Sequence, residues 1–312
     1  MLRQLACPRA LSRHAMLAGM RWILAVFLTC CSVSTAQVGP STPVVREPVK
    51  LMDTEVHSFR SKITGWEYVI SIALPAFYQR DQTARFPVLY LLDANVTFAT
   101  VSETARLFQF TNETSPFLIA GVAVAEKQPR ENARFRNSAF SPTPSAKADA
   151  DWKKTLNVEL HSGEAPRFLR SLKEEIIPLV EATYRTSADR GIAGWSMGGL
   201  FAGYALLNSP ETFQRYALVS PSLWWDDNLL LKQATQLAND GPQKGRTVFI
   251  AFGTEEEKDI VESSQEMARV LRKHSGAQVE IRTAEGENHN SGLALNYSRG
   301  LRSLYPPPRR PQ

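Results

Sequence analysis

The chain has 312 residues, 43% of them hydrophobic and 21% charged, with a formal net charge of +5. That balance is ordinary for a soluble globular protein and excludes a disordered chain, and the length suffices for one large α/β domain. Four arginines fall within the first 36 residues, so the remainder carries only +1, and no basic face calls for nucleic acid.

Residues 1–36 hold Arg3, Arg9, Arg13 and Arg21 and no acid, then the apolar run Trp22 to Leu28, then Ser34-Thr35-Ala36. A basic start, a short apolar run and small residues at the cleavage positions describe a secretory signal peptide cut after Ala36, and predict a periplasmic or secreted protein. The run is too short to stay behind as a membrane anchor. Met16 and Met20 are alternative starts, and Leu28-Thr29 gives Cys30 and Cys31 no good lipobox. Cys7, Cys30 and Cys31 all precede the cut, so the mature chain is expected to lack disulfides and a thiol nucleophile.

Residues 37–52 read as a surface lead-in to a catalytic domain spanning 53–304. Glu55 to Ser61 and Trp66 to Leu74 alternate with strand period around Gly65, which predicts an antiparallel edge hairpin. Phe86 to Asp93 and Phe117 to Val124 are continuous apolar runs, as in strands covered on both faces, with a helix over 99–110 between them. Residues 126–163 are polar, lack long periodicity and read as a substrate loop or cap. A helix starts near Ala165, with Pro178 as its kink.

Then comes Gly194-Trp195-Ser196-Met197-Gly198, a G-x-S-x-G pentad entered by an apolar run and followed by a helix-compatible stretch to Leu207. A serine on a strand-to-helix turn is strained and exposed, and the helix start offers free N–H groups to negative charge. Ser196 is therefore the candidate nucleophile, with the Met197 N–H as an oxyanion donor. Runs at 216–220 and 247–252, a helix over about 260–274 and a strand at 279–282 complete an α/β order. The pattern predicts a doubly wound, mainly parallel sheet, the α/β-hydrolase fold, with reacting groups beyond the strands' carboxyl ends. Residues 305–312 read as a disordered tail.

A serine hydroxyl needs a base. His289, in Gly286-Glu287-Asn288-His289, follows the last strand, which is the slot for that base in this fold. The acid should follow a strand between Ser196 and His289. Glu255, Glu256, Glu257 and Asp259 offer four choices after the strand ending at Phe252, with Glu256 first and Asp226 or Asp227 as the fallback; a Ser–His dyad without an acid is also open. The second oxyanion donor should come from the loop after Leu92, from the Ala94 or Asn95 backbone. Arg130, Arg134 and Arg136 beside Phe135 and Phe140 would suit an anionic aromatic ligand, though a solvated basic loop has the same composition.

These motifs, with Arg136-Asn137, Ser141 to Pro144, Gly163 to Leu169 and Ser220-Pro221-Ser222-Leu223-Trp224-Trp225, resemble an esterase family of α/β hydrolases. That family includes the enterochelin esterases and the periplasmic siderophore trilactone hydrolases. The resemblance runs from about Ser58 to about His289. It implies a serine esterase working through an acyl enzyme, on a small-molecule ester such as a ferric siderophore, with Trp195, Arg134, Arg136, Trp224 and Trp225 toward the substrate and neither metal nor organic cofactor. Two departures stand out: Trp195 replaces a histidine or small residue, and Ala94 a frequent glycine. An esterase for carbohydrate or phenolic esters, an acyltransferase, and a binding module on a hydrolase scaffold are the alternatives.

Overall fold

Strands that are apolar at every position need cover on both faces, and the computed structural model supplies it. It describes residues 47–307 apart from 129, 158 and 238. The signal-peptide reading, residues 37–46 of the lead-in and residues 308–312 lie outside the described residues. Eight strands form one sheet: β1 (Thr54–Arg60), β2 (Glu67–Ala73), β3 (Phe86–Leu91), β4 (Leu118–Val124), β5 (Thr186–Trp195), β6 (Arg215–Val219), β7 (Thr247–Gly253) and β8 (Gln278–Ala284). Their order is β1-β2-β4-β3-β5-β6-β7-β8. β2 runs antiparallel to both β1 and β4, and β4 through β8 are parallel. The expected hairpin turns at Gly65, whose φ of 78° suits glycine. Pro87 cannot donate to the ladder, and the β3–β5 register shifts between Phe86 and Val88.

Nine helices are placed among the described residues: α1 (Ala94–Phe110), α2 (Glu131–Ala139), α3 (Ala146–Leu156), α4 (Ala165–Ser171), α5 (Ile177–Thr183), α6 (Met197–Asn208), α7 (Trp225–Ala234), α8 (Lys258–His274) and α9 (Leu293–Leu304). Period two sorts the core. Val88 and Tyr90 pack on one side with Leu200, Phe201, Phe168 and Met267. Leu89 and Leu91 pack on the other with Val101, Ala105, Tyr297 and Leu301. α1 and α9 thus cover one face of the sheet, and α4, α5, α6 and α8 the other. Each buried Leu, Val or Phe contributes about 1.5–3 kcal/mol. This is the α/β-hydrolase architecture.

Three expectations change. α1 starts at Ala94 rather than near residue 99, after Asp93 adopts a left-handed φ of 59°. The 126–163 segment is not a structureless loop but carries α2 and α3. Tyr305 is no free tail residue: it is buried and stacks on Phe117 at 4.0 Å between ring centroids. Pro178 does mark a disturbance, a π-helical turn at Leu172–Ile176 that joins α4 to α5, since its missing N–H opens the ladder there.

Candidate active site

The strand order turns at β3: β4 lies on one side of it and β5 on the other. The residues that follow β3 and β5 therefore meet at a topological switch point, where α/β sheets open a crevice. Ser196, between β5 and α6, has φ 59° and ψ −118°, a conformation L-residues rarely adopt. The glycines around it are steric requirements. A Cβ on Gly194 would sit 2.2 Å from the Gly198 carbonyl, and one on Gly198 would sit 2.1 Å from Asp93 Oδ2. Ser196 N–H donates to the Val219 carbonyl at 2.9 Å, and the Ser196 carbonyl accepts from Ser222 N–H at 3.1 Å. The hydroxyl lies 3.4 Å from Ser222 Oγ, the hydrogen bond it makes among the described residues.

His289 follows β8, and Glu256 follows β7. They meet with His289 Nδ1 2.8 Å from Glu256 Oε2. Glu256 Oε1 accepts from Gly253 N–H at 2.6 Å and from Ser220 Oγ at 2.7 Å. Burial of this fully covered carboxylate pushes its pKa up, but the bonds from His289, Gly253 and Ser220 outweigh that and hold it below the ordinary glutamate range. An ionised carboxylate only accepts, so Nδ1 carries the proton and Nε2 keeps its lone pair. The His289 turn is fixed by Asn288, whose Oδ1 accepts from the N–H groups of Asn290 and Ser291.

Glu255 and Glu257 lie on either side of Glu256 without reaching His289. Asp226 accepts from Thr143 Oγ1 at 2.7 Å, and Asp227 pairs with Lys232 at 2.5 Å, so the fallback acids are occupied elsewhere. Met197 begins α6, and Ala94 and Asn95 begin α1. The Asn95 side chain donates to the Val124 carbonyl at 3.2 Å.

The substrate-facing expectations fare differently. Arg136 donates from Nε to the buried Asp93 carboxylate, its guanidinium lies 5.1 Å from the Trp195 ring, and it is not among the residues lining the cavity at Ser196. Arg134, two residues along α2, points elsewhere and does not line the cavity at Ser196. Trp225 is buried, stacked 5.4 Å from Trp152, with Nε1–H donating to Thr143. Trp224 is 39% exposed and lines the cavity. Trp195 packs its ring 4.9 Å from the His289 ring and donates Nε1–H to the His289 carbonyl at 3.0 Å, so it braces the histidine rather than walling the cavity.

The residue that composition alone missed is Asp93. Burial pushes its pKa up, while Arg136 and the Trp195 N–H, 3.1 Å from Oδ2, pull it back. Its carboxylate ties the ends of β3 and β5 to α2 directly beneath the serine turn. The run of apolar residues ending in an acid was its signal.

A cavity of about 470 Å³ contains both Ser196 and His289, together with Ser222, Trp224, Glu257, Asp259 and Ile260. A larger open groove of about 650 Å³ lies between β8 and α9, but no histidine lines it, and its Ser303 hydroxyl donates to Glu280 at 2.6 Å. Among the described residues no group of His, Cys, Asp and Glu is arranged to hold a metal.

The "Putative esterase" family model matches residues 61–292. The chain is similar to the ferri-bacillibactin esterase BesA of Bacillus subtilis, 30% identical over 270 residues that cover 81% of this chain and 90% of that protein. It is similar to a siderophore triacetylfusarinine C esterase of Aspergillus fumigatus, 26% identical over 290 residues, covering 83% and 95% respectively. Among solved structures, the BES protein from Bacillus cereus superposes with a TM-score of 0.72 at 27% identity, over 84% of this chain and 99% of that one. The chain therefore belongs to this esterase family of α/β hydrolases and is a carboxylic ester hydrolase of the serine type.

Proposed function

We propose that the protein is an exported siderophore esterase that cleaves its substrate through an acyl enzyme on Ser196. The observation that carries the mechanism is the His289–Glu256 hydrogen bond beside a cavity shared with the strained serine. The Ser196 side chain turns from Ser222 toward His289, and its Oγ attacks the ester carbonyl carbon as Nε2 takes the proton. The N–H of Met197, with that of Ala94 or Asn95, stabilises the oxyanion. Collapse breaks the C–O bond, and the imidazolium returns its proton to the leaving alkoxide. Water, deprotonated by His289, then attacks the acyl enzyme and releases the acid and Ser196. Glu256 holds the imidazole tautomer and stabilises its cation.

The siderophore reading rests on relatives named for such esters. Export rests on the composition of residues 1–36; among the described residues no helix is long and apolar enough to cross a membrane. A fluorophosphonate probe is expected to label the folded protein at Ser196 and to leave S196A unlabelled. The same pair of proteins is then assayed on siderophore triesters and on feruloyl and acetyl-sugar esters. Absence of labelling on folded wild type removes the acyl-enzyme reading, and turnover confined to the sugar or feruloyl esters removes the siderophore one.

A further inference from the structure

Trp195 ends β5 and immediately precedes the nucleophile, and its backbone N–H is held by Asp93 Oδ2 at 3.1 Å. Its side chain is half-buried and is not part of the cavity lining at Ser196. What it meets instead is the base. The indole Nε1–H donates to the His289 carbonyl at 3.0 Å, and the two rings lie 4.9 Å apart between centroids at an interplanar angle of 34°.

The hydrogen bond is the same throughout turnover, but the ring contact is not. Beside an ionised Glu256 the resting His289 is neutral, with its proton on Nδ1. As it takes the Ser196 proton, the imidazole gains a positive charge inside the distance of about 6 Å at which an aromatic ring attracts a cation, and indole is the strongest ring for this. The His289 side chain is only 23% exposed, so water screens that attraction incompletely. A contact that strengthens in the transition state raises kcat without tightening substrate binding. Arg136, 5.1 Å from the same indole, is the cation that could oppose the effect, but the Asp93 carboxylate balances its charge.

We propose that Trp195 is a positioning residue that speeds acylation and deacylation by stabilising the imidazolium of His289 through its indole ring, while its Nε1–H holds the His289 carbonyl. This rests on the serine-esterase reading of the same site. It gives a physical reason for tryptophan where the family resemblance leads one to expect a histidine or a small residue. A small residue offers no aromatic face, and a histidine can itself take a proton and then repel the cation beside it.

Site-specific replacement of Trp195 by 5-fluoro-, 5,7-difluoro- and 5,6,7-trifluorotryptophan tests it, because fluorine weakens the ring's attraction for a cation stepwise while keeping its shape and its N–H. With p-nitrophenyl butyrate, log kcat should fall steadily with each fluorine, by roughly threefold to tenfold over the series, and KM should stay within about twofold. The rate of fluorophosphonate labelling at Ser196 should fall in parallel, since it draws on the same base. Trp195→Phe, which keeps a ring but no N–H, should retain more of kcat than Trp195→Leu, which keeps neither. A flat fluorine series overturns the proposal and leaves the indole only its hydrogen bond to the His289 carbonyl. A change confined to KM also overturns it, by placing the indole against the substrate. Wild-type protein that is folded yet neither labelled at Ser196 nor active on the ester overturns the esterase mechanism beneath it.

Discussion

Glu256 shows how much one side chain can be asked to do. Its two oxygens face three donors, and one of these, the Gly253 N–H, can never become an acceptor. Glu256→Gln keeps the size but introduces an amide that must place its oxygen toward Gly253, which turns its NH2 toward His289 Nδ1. The imidazole then accepts at Nδ1 and carries its proton on Nε2, the nitrogen that should act as base. The expected result is a fall in kcat of roughly 10³–10⁴, the scale known when a triad acid is replaced by its amide, with KM little changed. A kcat within tenfold of wild type would show that His289 works as half of a dyad. Glu256 itself was legible only as one of four carboxylates after β7. Sequence puts all four on one turn, but the choice depends on which backbone N–H groups point back toward the sheet, and that is tertiary information.

Between elements, the Asp93–Arg136 pair is the principal tie. It joins the end of β3 to α2 across 43 residues of sequence, with the Asp93 side chain fully covered and that of Arg136 19% exposed. Removing only the cation leaves a buried carboxylate without its counter-ion, and Arg136→Met is expected to cost about 3–5 kcal/mol in urea unfolding. Adding Asp93→Asn to that variant should restore part of the loss, because the uncompensated charge goes with it. If the double variant is no more stable than the single one, the pair is not where the energy resides. This pairing could not be read from the sequence, where Arg136 resembles a ligand cation as much as a structural one. Legibility elsewhere followed periodicity. The hairpin, the covered strands and the serine turn announce themselves through period two, apolar runs and glycine. α3 escaped notice because none of its residues is buried, and α2 because its N-cap is Arg130, with a left-handed φ of 64° and no side-chain capping bond. Trp225 misled for a related reason: its neighbour Trp224 is exposed, and only the stack on Trp152, in that unread helix, separates their roles.

At the scale of the whole molecule, the loops after β3, β5, β6, β7 and β8 gather at one rim, while the antiparallel hairpin is held at the far edge of the sheet by a carboxylate. Glu175, in the π-helical turn, accepts from Ser61 Oγ at 2.5 Å, Ser171 Oγ at 2.7 Å and Lys62 N–H at 2.7 Å. Burial pushes its pKa up, but these bonds outweigh that and leave it below the ordinary value. In the connection between α6 and β6, Glu211 is lowered to about 2, first by the Ser209 hydroxyl and then, against burial, by its own backbone N–H and by Lys173. Glu256 shifts in the same direction. Carboxyls with depressed folded pKa values contribute stability that is complete above the unfolded value of about 4.3 and disappears as pH falls through the folded values. Unfolding in that window takes up protons at these carboxyls, so their contribution to the free energy of unfolding should be level from neutral pH down to about 5 and decline steadily toward pH 2, while Asp93, whose pKa burial raises, works in the opposite sense. Glu175→Gln should decline less steeply, since its unfolding takes up as much as one proton fewer, while above pH 5 the variant should be the less stable of the two. Urea titrations across that range decide the matter: equal slopes for the two proteins would mean that the hairpin is held by its backbone ladder and not by this carboxylate.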